Sequence, residues 1–139
     1  MSMDVERLRA LDLFADLDYH DLAQVAHWTR VVHAEPGEIL FEQGDLPWDM
    51  LVIEEGAVEI LHDGESLATL GPGDPVGEMS LLMQERRMAT ARATTSVEAI
   101  AIPADDLAKM EAEMPEVVAA LRDVMEARRQ RNADPGSAP

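Results

Sequence analysis

Glu78 and Arg87, with Gly77 at the head of the segment that joins them, are the residues whose types and spacing suit a small-molecule site. A carboxylate only accepts hydrogen bonds, whereas a guanidinium presents a rigid fork of five donors. Gly77 opens the turn Gly77-Glu78-Met79-Ser80-Leu81-Leu82. The first turn of a helix leaves backbone N–H groups unpaired and able to face an anion. Such a cup, acceptor on one wall and donors on the other, fits a ligand carrying hydroxyls and a phosphate together, as a ribose cyclic phosphate does.

Other chemistries find less support. Asp74, Glu78 and Glu85 are neighbouring carboxylates, but no nucleophile or histidine joins them, so no catalytic residue and no enzyme activity is predicted. There is no phosphate-loop or dinucleotide fingerprint. His20, His27 and His33 pair with no carboxylate at ligand spacing, and His62 is the only histidine past the first strand; neither a metal nor a cofactor is expected. The chain has 28 acidic and 11 basic residues, a net charge of −17, which would repel DNA, RNA and anionic membranes. It has no cysteine and no apolar run long enough to span a bilayer. With no secretory signal evident, the cytoplasm is the expected location.

The elements that must position the cup follow from periodicity. Val5, Leu8 and Leu11 have helical spacing, and Asp16-Leu17-Asp18 can cap a second helix over 19–28. The period then drops to two, predicting strands at 29–33, 39–41, 50–53, 58–61, 67–70, 90–94 and 98–102. Asp63-Gly64 is a hairpin signal, and Gly37, Gly44, Gly56, Gly71 and Gly73 mark tight turns. Many short strands between glycine turns mean a sandwich or small barrel, with helices covering an apolar face. Pro103 suits the first turn of a helix carrying Leu107 and Met110. A longer helix to about residue 131 carries the stripe Met114, Val117, Val118, Leu121, Val124 and Met125. Exposed, that stripe would be sticky, which predicts a homodimer. Arg122, Arg128, Arg129 and Arg131 suit the helix C-terminal dipole, and residues 132–139 read as a disordered tail after a single domain over 1–131.

The run Gly77-Glu78-Met79-Ser80-Leu81-Leu82…Arg87-Met88-Ala89-Thr90-Ala91-Arg92-Ala93 resembles the phosphate-binding cassette of the cyclic nucleotide-binding domain family. The resemblance extends from about Leu13 to about Arg128. It implies a mainly β fold, an eight-stranded antiparallel jelly roll with N-terminal helices, a short cassette helix and two C-terminal helices. It also implies that Phe14 and Leu17 pack the N-terminal helices onto the barrel. By this resemblance Arg87 pairs with phosphate oxygens and Glu78 accepts from the ribose 2′-hydroxyl. Amides near Met79 and Ser80 complete the nest, and Gly77, Met88 and Ala89 line it. Met88 stands where the family usually has serine, threonine or alanine, which disfavours cyclic GMP relative to cyclic AMP. Arg86 replaces a frequent proline, and Gln84 a frequent glycine. Val117, Val118, Leu121, Val124 and Met125 would face a lid or a dimer contact. The implied function is a cyclic nucleotide sensor without a DNA-binding output, signalling to a protein effector; the alternative is a ligand-independent interaction or assembly module.

Overall fold

The computed structural model describes residues 4–77, 80–81 and 84–132. Its N-terminal part is helical. Helix α1 (Val5–Arg9) is capped by the Asp4 carboxylate, which accepts from the Glu6 amide. A 3-10 turn (Asp12–Phe14) follows, and α2 (Tyr19–His27) is capped by Asp18, which accepts from the Asp21 amide at 2.8 Å. Phe14 and Leu22 are completely buried, and Leu17 is half-buried against the same cluster.

Eight strands come next: β1 (Arg30–Ala34), β2 (Ile39–Phe41), β3 (Asp49–Glu55), β4 (Val58–His62), β5 (Glu65–Leu70), β6 (Pro75–Val76), β7 (Thr90–Ala93) and β8 (Val97–Pro103). They form two four-stranded antiparallel sheets, in the orders β1-β8-β3-β6 and β2-β7-β4-β5, stacked as a sandwich flanked by helices. This is the jelly-roll arrangement that the resemblance implies. Strand β6 is the one that no alternation could announce, because it is only two residues long.

The turns show which residues matter. Asp63 and Gly64 have φ of 51° and 84°, so the β4–β5 hairpin turns with both central residues left-handed. Gly71 marks a turn as expected but does not adopt positive φ. Gly71-Pro72-Gly73-Asp74 is a turn closed by the Asp74 amide on the Gly71 carbonyl. In it Pro72 supplies the fixed φ and Gly73 the left-handed one, so the first position is unconstrained.

Pro103 is the N-cap of α3 (Ala104–Glu113) rather than a residue of its first turn, and α4 (Pro115–Asn132) runs on from it. The stripe Val117, Val118, Leu121 and Met125 is buried in the chain's own helical core, with Val124 packed at its edge. The stripe is therefore not exposed, as the homodimer expectation supposed: it shares one apolar cluster with Phe14, Met110 and the outer-face residues Met50, Val52, Ile100 and Ile102, and α4 packs on the 3-10 turn and on α3.

Candidate functional site

The chain leaves the first sheet at Val76 and enters the second at Thr90, so the segment between them bridges the two layers. Gly77 opens it with φ of 80°. A Cβ at Gly77 would collide with the Arg87 guanidinium and touch the Phe41 ring, so both backbone conformation and space require glycine. Leu81 N–H reaches the Gly77 carbonyl, and Glu85 N–H donates to the Ser80 carbonyl at 2.9 Å. Ser80 and Leu81 are buried. Glu78 and Met79, expected to hold the ribose and the phosphate, lie outside the described residues. Gln84, where glycine is expected, has φ of 55°.

Arg87 is the centre of the site and is only 3% exposed. Its Nη1 donates to the Gly77 carbonyl at 2.8 Å. Its Nη2 donates to the Asp49 carbonyl at 2.5 Å and to Asp49 Oδ1 at 3.1 Å. The guanidinium carbon stands 4.1 Å from the centre of the Phe41 ring, a cation–π contact in a partly desolvated place. Asp49 Oδ2 also lies 4.0 Å from Arg30.

The backbone after Arg87 is tied to neighbouring loops. Gly44 N–H donates to the Arg87 carbonyl and Arg87 N–H to the Asp45 carbonyl, each at 2.8 Å. Arg86 donates to the Gly44 carbonyl, and Gln43 N–H to Thr90 Oγ1. Met88 is more than half exposed and Ala89 partly so. The thioether is thus turned to solvent and does not crowd the guanidinium. On the helical side, Leu81 and Gln84 share a cleft of about 380 Å³ with Pro47, α3 and Arg122. Arg122 itself pairs with Glu111 at 2.5 Å.

Sequence reasoning found Gly77 and Arg87 but missed Asp49 and Phe41. A signal for Asp49 did exist. Alternation along β3 puts Asp49 on the face of Leu51 and Ile53, which point into the sandwich. A carboxylate at the mouth of an apolar interior calls for a cation.

A family model described as cyclic nucleotide-binding domain matches residues 31–113. The N-terminal domain of a transcriptional regulator from Streptomyces coelicolor A3(2) is 34% identical, with a TM-score of 0.72 and 99% of each chain covered. A cyclic nucleotide-binding protein of Geobacter metallireducens GS-15, so described provisionally, superposes with a TM-score of 0.84 at 23% identity, covering 93% of this chain and 97% of that one; it speaks for the fold alone. A regulatory subunit of cAMP-dependent protein kinase from Yarrowia lipolytica is 34% identical over 82 residues, 59% of this chain and 22% of its own length. The chain thus spans between 13% and 30% of the length of such curated relatives.

Proposed function

The chain belongs to the cyclic nucleotide-binding domain family, and on that premise we propose that it is a non-enzymatic regulatory module that binds cyclic AMP, in preference to cyclic GMP, between Gly77 and Ala89. The buried Arg87 carries this reading. In a chain of net charge −17 a phosphate needs a local cation. Arg87 is the one charged side chain among the described residues that is buried. Taking a guanidinium out of water is costly, and here Asp49, the Gly77 carbonyl and the Phe41 face offset that cost. An incoming phosphate would compete with Asp49 for the fork, with Arg30 close enough to take up the released carboxylate. By the family resemblance, Glu78 receives the ribose hydroxyl and the amides near Met79 and Ser80 receive phosphate. Met88 offers no hydroxyl, which disfavours cyclic GMP.

The output would run through α4. Leu81 of the cassette belongs to the same apolar cluster as Val118, Leu121 and Met125, so a shift of the cassette changes the seat of that helix. The nucleotide must prefer one helix position, since equal affinity for both would shift nothing. A homodimer through α4 would require the stripe to leave its own core, so dimerisation is itself a readout of helix position. The effector is a protein, and the setting is the cytoplasm.

A second reading has its own observation. The Arg87 fork already engages Asp49 and Gly77, which also suits a loop lock in a ligand-independent assembly module. Calorimetric titration of nucleotide-free protein with cyclic AMP and then cyclic GMP separates the two, alongside Arg87→Lys and Arg87→Ala. The sensor reading expects cyclic AMP binding that falls at least tenfold in Arg87→Lys, where the bidentate fork is lost, and vanishes in Arg87→Ala. No heat from either nucleotide with folded wild-type protein would leave the assembly reading.

A further inference from the structure

We propose that His62 is a positioning residue for the nucleotide loop, held in place by Gln43 and Asp63, and that it aims backbone N–H groups at the ligand phosphate. The ligand half of this inference rests on the reading above. His62 ends β4, outside the cassette. Its Nδ1 stands 2.8 Å from the Met88 carbonyl; a carbonyl only accepts, so Nδ1 carries the proton and donates. Its Nε2 stands 3.3 Å from Asp63 Oδ2, a contact that draws the ring in when Nε2 also carries a proton.

Asp63 is fixed in turn. Its Oδ1 accepts from Gln43 Nε2 at 3.0 Å, and its own amide donates to Gln43 Oε1 at 2.9 Å. This reciprocal pair secures a residue in left-handed backbone, φ 51°. Gln43 also sends its amide to Thr90 Oγ1 at 3.0 Å, so the clasp closes on the far end of the same loop.

The consequence comes from peptide planarity. All peptide bonds among the described residues are trans, and in a trans peptide the C=O and the next N–H point in opposite directions. Gly44 N–H holds the Arg87 carbonyl, which fixes the direction of the Met88 N–H. His62 holds the Met88 carbonyl, which fixes the direction of the Ala89 N–H. Neither N–H has an acceptor among the described residues. Two successive peptides, each pinned by its oxygen, thus present their donors away from the clasp, the arrangement that makes an anion-binding concavity. It also accounts for tolerance of Met88, since the backbone supplies the contact and the side chain is exposed.

The test compares His62→Ala with His62→Asn, whose amide nitrogen can replace Nδ1 as donor to the Met88 carbonyl. The first readout needs no ligand: hydrogen exchange at the Gly44 and Arg87 amides, whose bonds flank the pinned peptides. His62→Ala is expected to speed both by about fivefold, the order of one lost hydrogen bond, and His62→Asn to restore them. The second readout is cyclic AMP affinity, expected to weaken by about fivefold in His62→Ala and to recover in His62→Asn. Unchanged exchange in His62→Ala overturns the clasp whatever the affinities. Faster exchange with unchanged cyclic AMP affinity overturns its role in aiming the donors. If wild-type protein binds no cyclic nucleotide, the ligand half falls with the functional reading, and the exchange data still decide the clasp.

Discussion

The two sheets of this sandwich are built to different specifications. Sheet β1-β8-β3-β6 is covered on both faces along its central strands β3 and β8, while its edge strand β1 is mostly exposed. Met50, Val52, Ile100 and Ile102 point to the helices, while Leu51, Ile53, Ala99 and Ala101 point to the other sheet. Sheet β2-β7-β4-β5 buries Val58, Ala91 and Ala93 inward, but its central strand β4 and edge strand β5 remain mostly half-buried or exposed. Strands covered twice read as continuous apolar runs, and strands covered once alternate. Arg87 sits where the chain crosses between the two sheets, with Asp49 from the covered sheet and Phe41 from the open one beside it. The first sheet buries its central strands on both faces; the second buries β4 mainly on one.

Truncation in each sheet gives the largest effect and tests that contrast directly. Ile100→Ala removes a completely buried side chain packed in the helical core, and is expected to cost about 3 kcal/mol in urea unfolding. Ile60→Ala on β4 removes a half-buried one and is expected to cost about 1 kcal/mol. Equal costs would mean that the open sheet is as tightly supported as the covered one, and the contrast would fail.

How much of this was legible in the sequence depended on range. The helices, seven of the strands and the Asp63-Gly64 hairpin follow from periodicity and turn chemistry, both local signals. Gly77 and Arg87 were legible because the cassette is contiguous. Phe41 and His62 were not, because they arrive through strand pairing from positions 46 and 25 residues away from Arg87; Asp49, 38 residues away, left only the trace of its place in the β3 alternation. The α4 stripe was legible as apolar, but its burial within the chain's own helical cluster was not. A helical pattern says that a face must be buried and is silent on what buries it. Here the 3-10 turn with Phe14, together with α3, packs against α4.

Gln84 offers a smaller effect and a way to sharpen the account of the crossing segment. Its φ of 55° puts a side chain where left-handed backbone costs about 1 kcal/mol. Gln84→Gly relieves that strain, although the more flexible unfolded chain cancels part of the gain. The net expectation is a stabilisation of about 0.5 kcal/mol in urea unfolding. If strain at Gln84 also keeps the loop responsive, nucleotide should then protect the loop amides from exchange by a smaller factor than in wild type. A destabilised Gln84→Gly would show instead that the glutamine side chain makes a contact worth more than the strain.

The smallest effect belongs to the covered sheet and is a matter of pH. His33 on β1 lies between two carboxylates, with Nε2 2.9 Å from Glu35 and Nδ1 3.2 Å from Glu98. Glu98 is shared with Arg7 at 3.5 Å, and Arg7 reaches Glu54 at 2.6 Å, so the cluster straps α1 to the sheet. Hydrogen bonding to Glu35, then to Glu98, raises the His33 pKa above its ordinary value. The folded state therefore holds the proton more tightly than the unfolded one. The added stability is complete below about pH 6.5, the unfolded value, and is lost as pH rises through the raised folded value. Solvent exposure keeps it small, because both partners of each contact are about a third exposed or more. The measurement is the melting temperature of wild type minus that of His33→Gln across this range. The difference should be positive on the acid side and shrink steadily as pH rises above neutrality. A difference that stays constant with pH would mean that the imidazole contributes only its neutral hydrogen bonds, and that Arg7 alone straps α1 to the sheet.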